Sequence, residues 1–537
     1  MIFLSVQPDD FYFMWQLELQ IYNFNKLGID SQQIHILIGY DSRIGLRPFF
    51  SEMMERNKEK ASFYPYPDTR LCKSYQPSIR PHIVKKHLLA YPSLEEATIF
   101  YHDSDIIFRI LPDFEQLQSD EYWYVADTRA YLDSIYIRKV ADDALFNEMC
   151  SIVNISPQQV IENDINCGGA QYLLTNTTVA YWEKVEKDSE ELFNLLTDFN
   201  VRQENEQLRL GIKRPEKNGI QAWCAEMWST LWNAIYFEKK IAITPEFDFC
   251  WADSNISRWN STNILHYTGH INKDDKEFFA KGNYKNYEPY YDIDLKKINP
   301  ESSSFPLVQL MADFTNQQKK IDLTDVSFVI PVRIDSISRF QNLLAQVKYL
   351  DKYFNTRILI YESDRESKIN QELLPNTCTL LFQQCSDQVV HPAQLNTIMI
   401  NQVVTPVMAL VEQDFIVSID QTLQAVQLIR DKQAHFVSPF DGNYIKVDTL
   451  FKAMFEKILD PLLLTYNKSK FKLFSETSWN GWLFISKEAF HLMPADFERI
   501  ERIKNLGYKI QRINGPIFHL PHDEQENANY EFTKCDI

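Results

Sequence analysis

The chain of 537 residues has no Cys-x-x-Cys pair, no apolar run of about eighteen residues and no excess of basic side chains. Each absence removes a class of protein. The eight cysteines, Cys72, Cys150, Cys167, Cys224, Cys250, Cys378, Cys385 and Cys535, are scattered. Such spacing argues against a zinc site and a disulfide framework and fits a reducing compartment. Without a long apolar run a membrane span is not expected. The opening MIFLSVQPDD has neither the basic flank nor the apolar length of a signal peptide, so the expected location is the cytoplasm. Acidic residues outnumber basic ones 73 to 55, for a formal charge of -18. A surface of that sign repels phosphate backbones and anionic lipid, which excludes nucleic acid as an expected partner. Nor is there a short-period repeat.

What is present is enough apolar material for large cores: 45% of residues are hydrophobic and 14% aromatic. The length suggests two to four domains. Two segments open alike. Residues 2–6 (IFLSV) form a short apolar run, followed by a stretch of helical spacing that stops at Gly28. Residues 326–332 (VSFVIPV) and the following SISRFQNLLAQVKYLDKYF repeat that order. Each reads as a buried strand feeding a helix. Further strands are expected at 34–40, 97–102, 356–362, 377–383 and 406–412. Alternating strands and helices predict an α/β fold with a doubly wound, mostly parallel sheet in each half. The boundary is expected within 300–325, giving domains 1–310 and 322–537. The polar stretch from Asn200 to Gly219 reads as a loop.

The most informative segment is ATIFYHDSDIIF. An apolar strand runs into Asp103-Ser104-Asp105 and returns to apolar residues. Two carboxylates one residue apart at a strand's carboxyl end can share a hard cation that bridges a diphosphate; a solvated acidic turn is the alternative. Downstream, ILHYTGH places His266 at the end of a second apolar strand. Its imidazole can be a third ligand or a satisfied core histidine, and Gly269 lets backbone N–H groups approach a phosphate.

The order of strand, DxD, a segment containing Gly168-Gly169 and a late HxxG motif resembles GT-A glycosyltransferases of the glycogenin-like type over about 280 residues. The resemblance implies Mn2+ (or Mg2+) on Asp103, Asp105 and His266, and a lysine on the diphosphate. That lysine would fall at Asn272, so Lys273 is the nearest candidate. Arg80 opens a helix and can turn its guanidinium toward a donor phosphate, or it can be a surface arginine. Glu226, among tryptophans in AWCAEMWSTLW, is a candidate catalytic contact to the transferred sugar or acceptor hydroxyl. The glycine pair would pass beneath the sugar.

The second half is similar to inverting family 2-like and β-1,4-galactosyltransferase-like enzymes over nearly all of 325–537. The resemblance implies a nucleotide pocket lined by Arg333, Asp335 and Glu362. It also implies a metal held at Glu412 and Asp414, where the family has DxD, and at His519 and His522. Asp496 would be the general base, or else a charge at a helix start. Glu412 and Ala495 depart from the family pattern, and the acceptor loop is shortened.

Together these readings predict a metal-dependent transferase moving a sugar from a nucleotide-diphosphate sugar, of the uridine kind, to a hydroxyl of a glycan or glycopeptide. Both halves could be active, or the second could be a non-catalytic glycan-binding or scaffolding module. A carbohydrate-binding protein without activity is the reading from another class.

Overall fold

A computed structural model describes the chain apart from residues 118–120, 212–218, 269–271, 273–274, 287, 291, 318–319, 386–398, 480, 493–502, 504 and 524–537. The chain divides into two compact units, Met1–Pro289 with Asp294–Asn316, and Tyr290–Ile293 with Gln317–Ile537.

The first unit contains β1 (Ile2–Pro8), β2 (Ile34–Asp41), β3 (Ser62–Asp68), β4 (Ile99–His102), β5 (Ile106–Phe108), β6 (Tyr122–Asp127), β7 (Gly168–Leu174), β8 (Lys240–Ile243), β9 (Phe249–Trp251) and β10 (Ile264–His266). Its main sheet has the order β3-β2-β1-β4-β7-β6-β8, and β5-β10-β9 form a small second sheet. Among the described residues only β7 runs against its neighbours in the main sheet. Successive residues face opposite layers: Leu4, Val6, Leu37, Ile99 and Tyr101 join one core, whereas Phe3, Ile36, Ile38 and Phe100 join the other. Helices cover both faces, which is why these strands read as continuous apolar runs and not as alternating ones.

The second unit contains β11 (Ile321–Val332), β12 (Phe354–Asp364), β13 (Cys378–Gln384), β14 (Val407–Val411), β15 (Phe415–Ile416), β16 (Phe436–Ser438), β17 (Tyr444–Lys446), β18 (Lys472–Ser475), β19 (Trp482–Ser486), β20 (Ile510–Arg512) and β21 (Ile517–His519). Its main sheet runs β13-β12-β11-β14-β19-β16-β20, and β15-β21-β17-β18 form the small one. Position by position, this is the order and sense of the first unit, with β19 as the reversed strand. Two α/β units, each with a mostly parallel main sheet, are what the chain forms, in keeping with the expected α/β class.

Three details differ from expectation. The edge strand β3 (SFYPYPD) was not expected, because two prolines cannot donate to a ladder; an edge tolerates them. The polar stretch after Asn200 is not loop at its start, since the helix Val179–Arg209 runs through it. Within the interval expected to link the domains, Ser304–Gln317 is a helix whose Leu307, Met311 and Phe314 are buried.

The glycine pair also has a structural explanation. Gly168 and Gly169 lie inside β7, opposite Asp127 and Ala126 across a register shift. A Cβ on Gly168 would collide with the Val125 side chain and the Ala126 carbonyl. Gly168→Ala is therefore expected to destabilise the protein by about 1–3 kcal/mol in urea denaturation.

The helix Ile79–Ala90 packs on β1 to β3 and buries His87, whose Nε2 lies 3.2 Å from Nδ1 of His35. The Tyr66 hydroxyl meets the other nitrogen of His87 at 2.8 Å. Burial pulls His35 down to about 4 and His87, with His35 beside it, to about 3. Both rings are thus held neutral in the folded chain. Their contribution to stability is complete above the unfolded value near 6.5 and is lost as pH falls toward 4 and 3. We expect the unfolding free energy to fall through this window by up to about 1.4 kcal/mol per pH unit per ring. Denaturant titrations at stepped pH, compared with His87→Gln, check the slope.

Candidate metal and nucleotide site

The site of the first unit is built at the carboxyl end of β4. The chain leaves β4 at His102, turns through Asp103-Ser104-Asp105 and re-enters a strand at Ile106. β5 pairs antiparallel with β10, with Ile106 opposite His266. The Tyr267 amide donates to the Asp105 carbonyl at 3.0 Å and locks this register. As a result His266, 161 residues beyond Asp105, sits beside both carboxylates. Its Nε2 is 3.4 Å from Asp103 Oδ2 and 3.3 Å from Asp105 Oδ1. Ligand atoms of all three residues lie within 4.8 Å of one another. The donors of an octahedral ion with bonds of about 2.1 Å are about 3 Å apart, so the spacing suits a hard divalent cation. Both ring nitrogens of His266 are buried without a hydrogen-bond partner. An imidazole in that condition, aimed at two carboxylates, fits a metal better than a satisfied core position.

The aspartates have fixed neighbours. Arg80 Nη2 is 2.8 Å from Asp103 Oδ1, and its Nη1 is 3.3 Å from Glu226 Oε2. The guanidinium also lies 4.8 Å from the centre of the Tyr101 ring. The surface-arginine alternative is thereby removed. Lys281 pairs with Asp105 Oδ2, and its Nζ lies 5.6 Å from the Tyr12 ring centre. Burial pushes the Asp105 carboxyl up, but Lys281 and His266 outweigh it and hold the group below the ordinary carboxylate range. Sequence reading missed Lys281; it stands 15 residues beyond His266, outside the motif spacing. Gly269 and Lys273, the residues expected near the diphosphate, lie outside the described residues.

Glu226 lies next to Arg80. The helix Ala225–Tyr236 buries it at 3% exposure. Its carboxylate accepts from the Tyr101 hydroxyl at 3.1 Å, the Thr230 hydroxyl at 3.4 Å and Arg80. Burial raises its pKa against the pull of Arg80. In this arrangement the carboxylate holds Arg80 in place.

One face of the helix Phe11–Lys26 clamps the turn. Gln16 accepts from the Ser104 hydroxyl at 3.2 Å, and Gln20 donates to the Asp103 carbonyl at 2.8 Å. Asn23 exchanges two hydrogen bonds with the Phe108 backbone, at 3.0 and 2.7 Å. The spacing i, i+4, i+7 puts all three on one stripe. Three amides among Trp15, Leu17, Leu19 and Ile21 were the available signal, and sequence reading did not use it.

The second unit repeats this clamp. On the helix Ile337–Tyr353, Asn342 donates to Asp414 Oδ1 at 2.8 Å. Gln346 donates to the carbonyls of Glu412 and Phe415 at 2.7 Å each, and the Tyr349 hydroxyl to Val417 at 2.9 Å. Phe415 faces His519 in the antiparallel pair β15–β21, and the Leu520 amide donates to the Asp414 carbonyl at 2.8 Å. Asp414, His519 and His522 form a second group of ligand atoms within 4.8 Å of one another.

Glu412 stays outside that group. Its carboxyl accepts the Gly481 amide at 3.1 Å, and burial lifts its pKa to about 7. The nucleotide-side candidates are also engaged internally. Glu362 is fully buried and accepts from the Ser367 hydroxyl at 2.7 Å and the Lys368 amide at 2.8 Å. Arg333 Nε faces Asp364 at 3.8 Å, and Asp335 faces Arg339 at 3.6 Å. Asp496 lies outside the described residues.

No family model and no curated protein matches the chain. Solved structures with a detectable likeness include glucosyl-3-phosphoglycerate synthase from Mycobacterium tuberculosis in complex with Mg2+ and uridine-diphosphate. It is 13% identical, with 37% of this chain and 72% of that one covered at a TM-score of 0.24. The apo-form glycosyltransferase GlyE of Streptococcus pneumoniae is 12% identical, with 75% and 84% covered at a TM-score of 0.24. The bifunctional glycosyltransferase WbbM is 7% identical, with 58% and 50% covered at a TM-score of 0.28. Likenesses this slight assign no residue and no chemistry to the present chain. Among the described residues no helix is long and apolar enough to cross a membrane.

Proposed function

We propose that the first unit is a metal-dependent nucleotide-sugar site that transfers a sugar from a nucleotide diphosphate, of the uridine kind, to a hydroxyl of a glycan or glycopeptide. The observation that carries this reading is the convergence of Asp103, Asp105 and His266 at one point, with Arg80 and Lys281 beside it. Mn2+ or Mg2+ held there would supply Lewis-acid stabilisation to the departing diphosphate. The chain's own groups do the rest. Asp103 and Asp105 in the β4–β5 turn and His266 at the end of β10 offer three ligands, brought together by the β5–β10 register. Arg80, held by Glu226 and Tyr101, keeps a guanidinium at the edge of the site, where a donor phosphate or sugar hydroxyl can take it up. Glu226 acts through Arg80 and is a positioning residue.

The second unit supports a helper role better than a second catalytic centre. Glu412 is turned to Gly481, and Glu362 and Arg333 already have internal partners. Asp414, His519 and His522 remain able to hold a cation.

The test is a panel of nucleotide sugars with Mn2+, read as release of free nucleoside diphosphate. The expected result is turnover of one donor that disappears with chelator and with Asp105→Asn and survives Asp414→Asn. Separate donors lost with separate variants would instead establish two active units. Metal-independent turnover, or turnover untouched by Asp105→Asn, would overturn the reading.

A further inference from the structure

The two clusters share a clamp but differ in how their second aspartate is balanced. In the second unit the neighbour of Asp414 Oδ1 is the neutral amide of Asn342. In the first unit Asp105 Oδ2 is paired with an ammonium group, Lys281, while Oδ1 faces His266. Both partners are withdrawn from water, with side-chain exposures of 5% for Asp105 and 13% for Lys281. Arg80 is already shared between Asp103 and Glu226, so among the described lysines and arginines Lys281 is the one paired with Asp105.

We propose that Lys281 is a resident counter-ion whose partner changes when the donor arrives. Without metal it neutralises Asp105. A divalent cation entering alone must share that carboxylate with an ammonium group in a site too buried for water to screen the repulsion. A cation entering with a diphosphate brings the anion that Lys281 can turn to. Metal and nucleotide therefore bind as a coupled pair, and Lys281 sets the coupling. By linkage each ligand must strengthen the other by the same factor. This inference rests on the first unit being a metal–nucleotide site, but it adds a residue and a direction of effect that the reading does not require.

The experiment is calorimetric titration of Mn2+ into the full chain carrying His522→Ala, which removes one ligand of the second cluster. The titration is done alone and with saturating UDP. Adding Asp105→Asn to this background marks the heat that does not come from the first unit. UDP is expected to tighten Mn2+ binding at the Asp105-dependent site by about tenfold or more. Lys281→Met should strengthen binding of Mn2+ alone several-fold and abolish most of the gain from UDP. Lys281→Arg, which keeps the charge, should keep the gain. The unsubstituted Lys281 chain already tests the idea, because equal Mn2+ affinity with and without UDP contradicts it. So does a Lys281→Met chain in which Mn2+ alone binds more weakly, or a Lys281→Arg chain that loses the gain as fully as Lys281→Met. Absence of any UDP binding in the presence of Mn2+ contradicts the proposed function as well, which separates the two failures.

Discussion

Asp105→Asn should lower donor turnover by about a thousandfold or more while leaving the fold intact. Asparagine keeps the size of the side chain but removes the charge and replaces one ligand oxygen with an amide nitrogen. Stabilising a departing diphosphate through a bound cation supplies several kcal/mol, and each 1.36 kcal/mol lost is a tenfold drop in rate. Asp105 Oδ1 faces His266 at 3.3 Å, so its loss removes the centre of the three-ligand set. The equivalent change in the second unit, Asp414→Asn, should cost less than tenfold. Steady-state release of nucleoside diphosphate from the two variants, with circular dichroism to check folding, measures the contrast.

The second large effect is on stability. Arg80→Ala should destabilise the protein by about 3 kcal/mol, because it leaves Glu226 buried and unpaired and strips Asp103 of one partner. The figure is at the low end for a broken buried pair, since Asp103 is 28% exposed and partly screened. Adding Glu226→Gln to Arg80→Ala should recover part of the loss, because a neutral amide is cheaper to bury than an unpaired carboxylate. Urea denaturation of both single variants and the double variant closes the cycle. If Glu226 instead served as an exposed sugar contact, the double variant would be no more stable than Arg80→Ala.

The strands of both main sheets were within reach of the sequence because helices cover both faces and leave long apolar runs. The strands expected at 34–40, 97–102, 356–362 and 406–412 all form. What periodicity could not show was β3, whose Pro65 and Pro67 sit on an edge, and the extension of β11 back to Ile321. At the site, Asp103 and Asp105 were legible because carboxylates between two apolar runs need a reason to be there. His266 could be offered as a third ligand from its place at the end of an apolar strand, but the β5–β10 ladder that brings it to the aspartates joins residues far apart in the chain and left no local signal. Lys281 carried no local signal, as its meaning comes only from its distance to Asp105. The partners of Glu226 were hidden for a related reason. A carboxylate among tryptophans reads as a site residue, yet its partners Arg80 and Tyr101 come from other elements and close it off. The polar stripes Gln16-Gln20-Asn23 and Asn342-Gln346-Tyr349 could have been found by comparing the two first helices. That comparison needs the DxD and ExD turns aligned first.

The measurement that tests the central claim most directly is UDP binding to the intact chain by calorimetry, with Mn2+, with chelator, and with Mn2+ in Asp105→Asn. The account predicts binding with Mn2+ that is lost on chelation and lost in the variant. Binding of equal strength in all three, or none in any, would contradict a metal-dependent nucleotide site in the first unit.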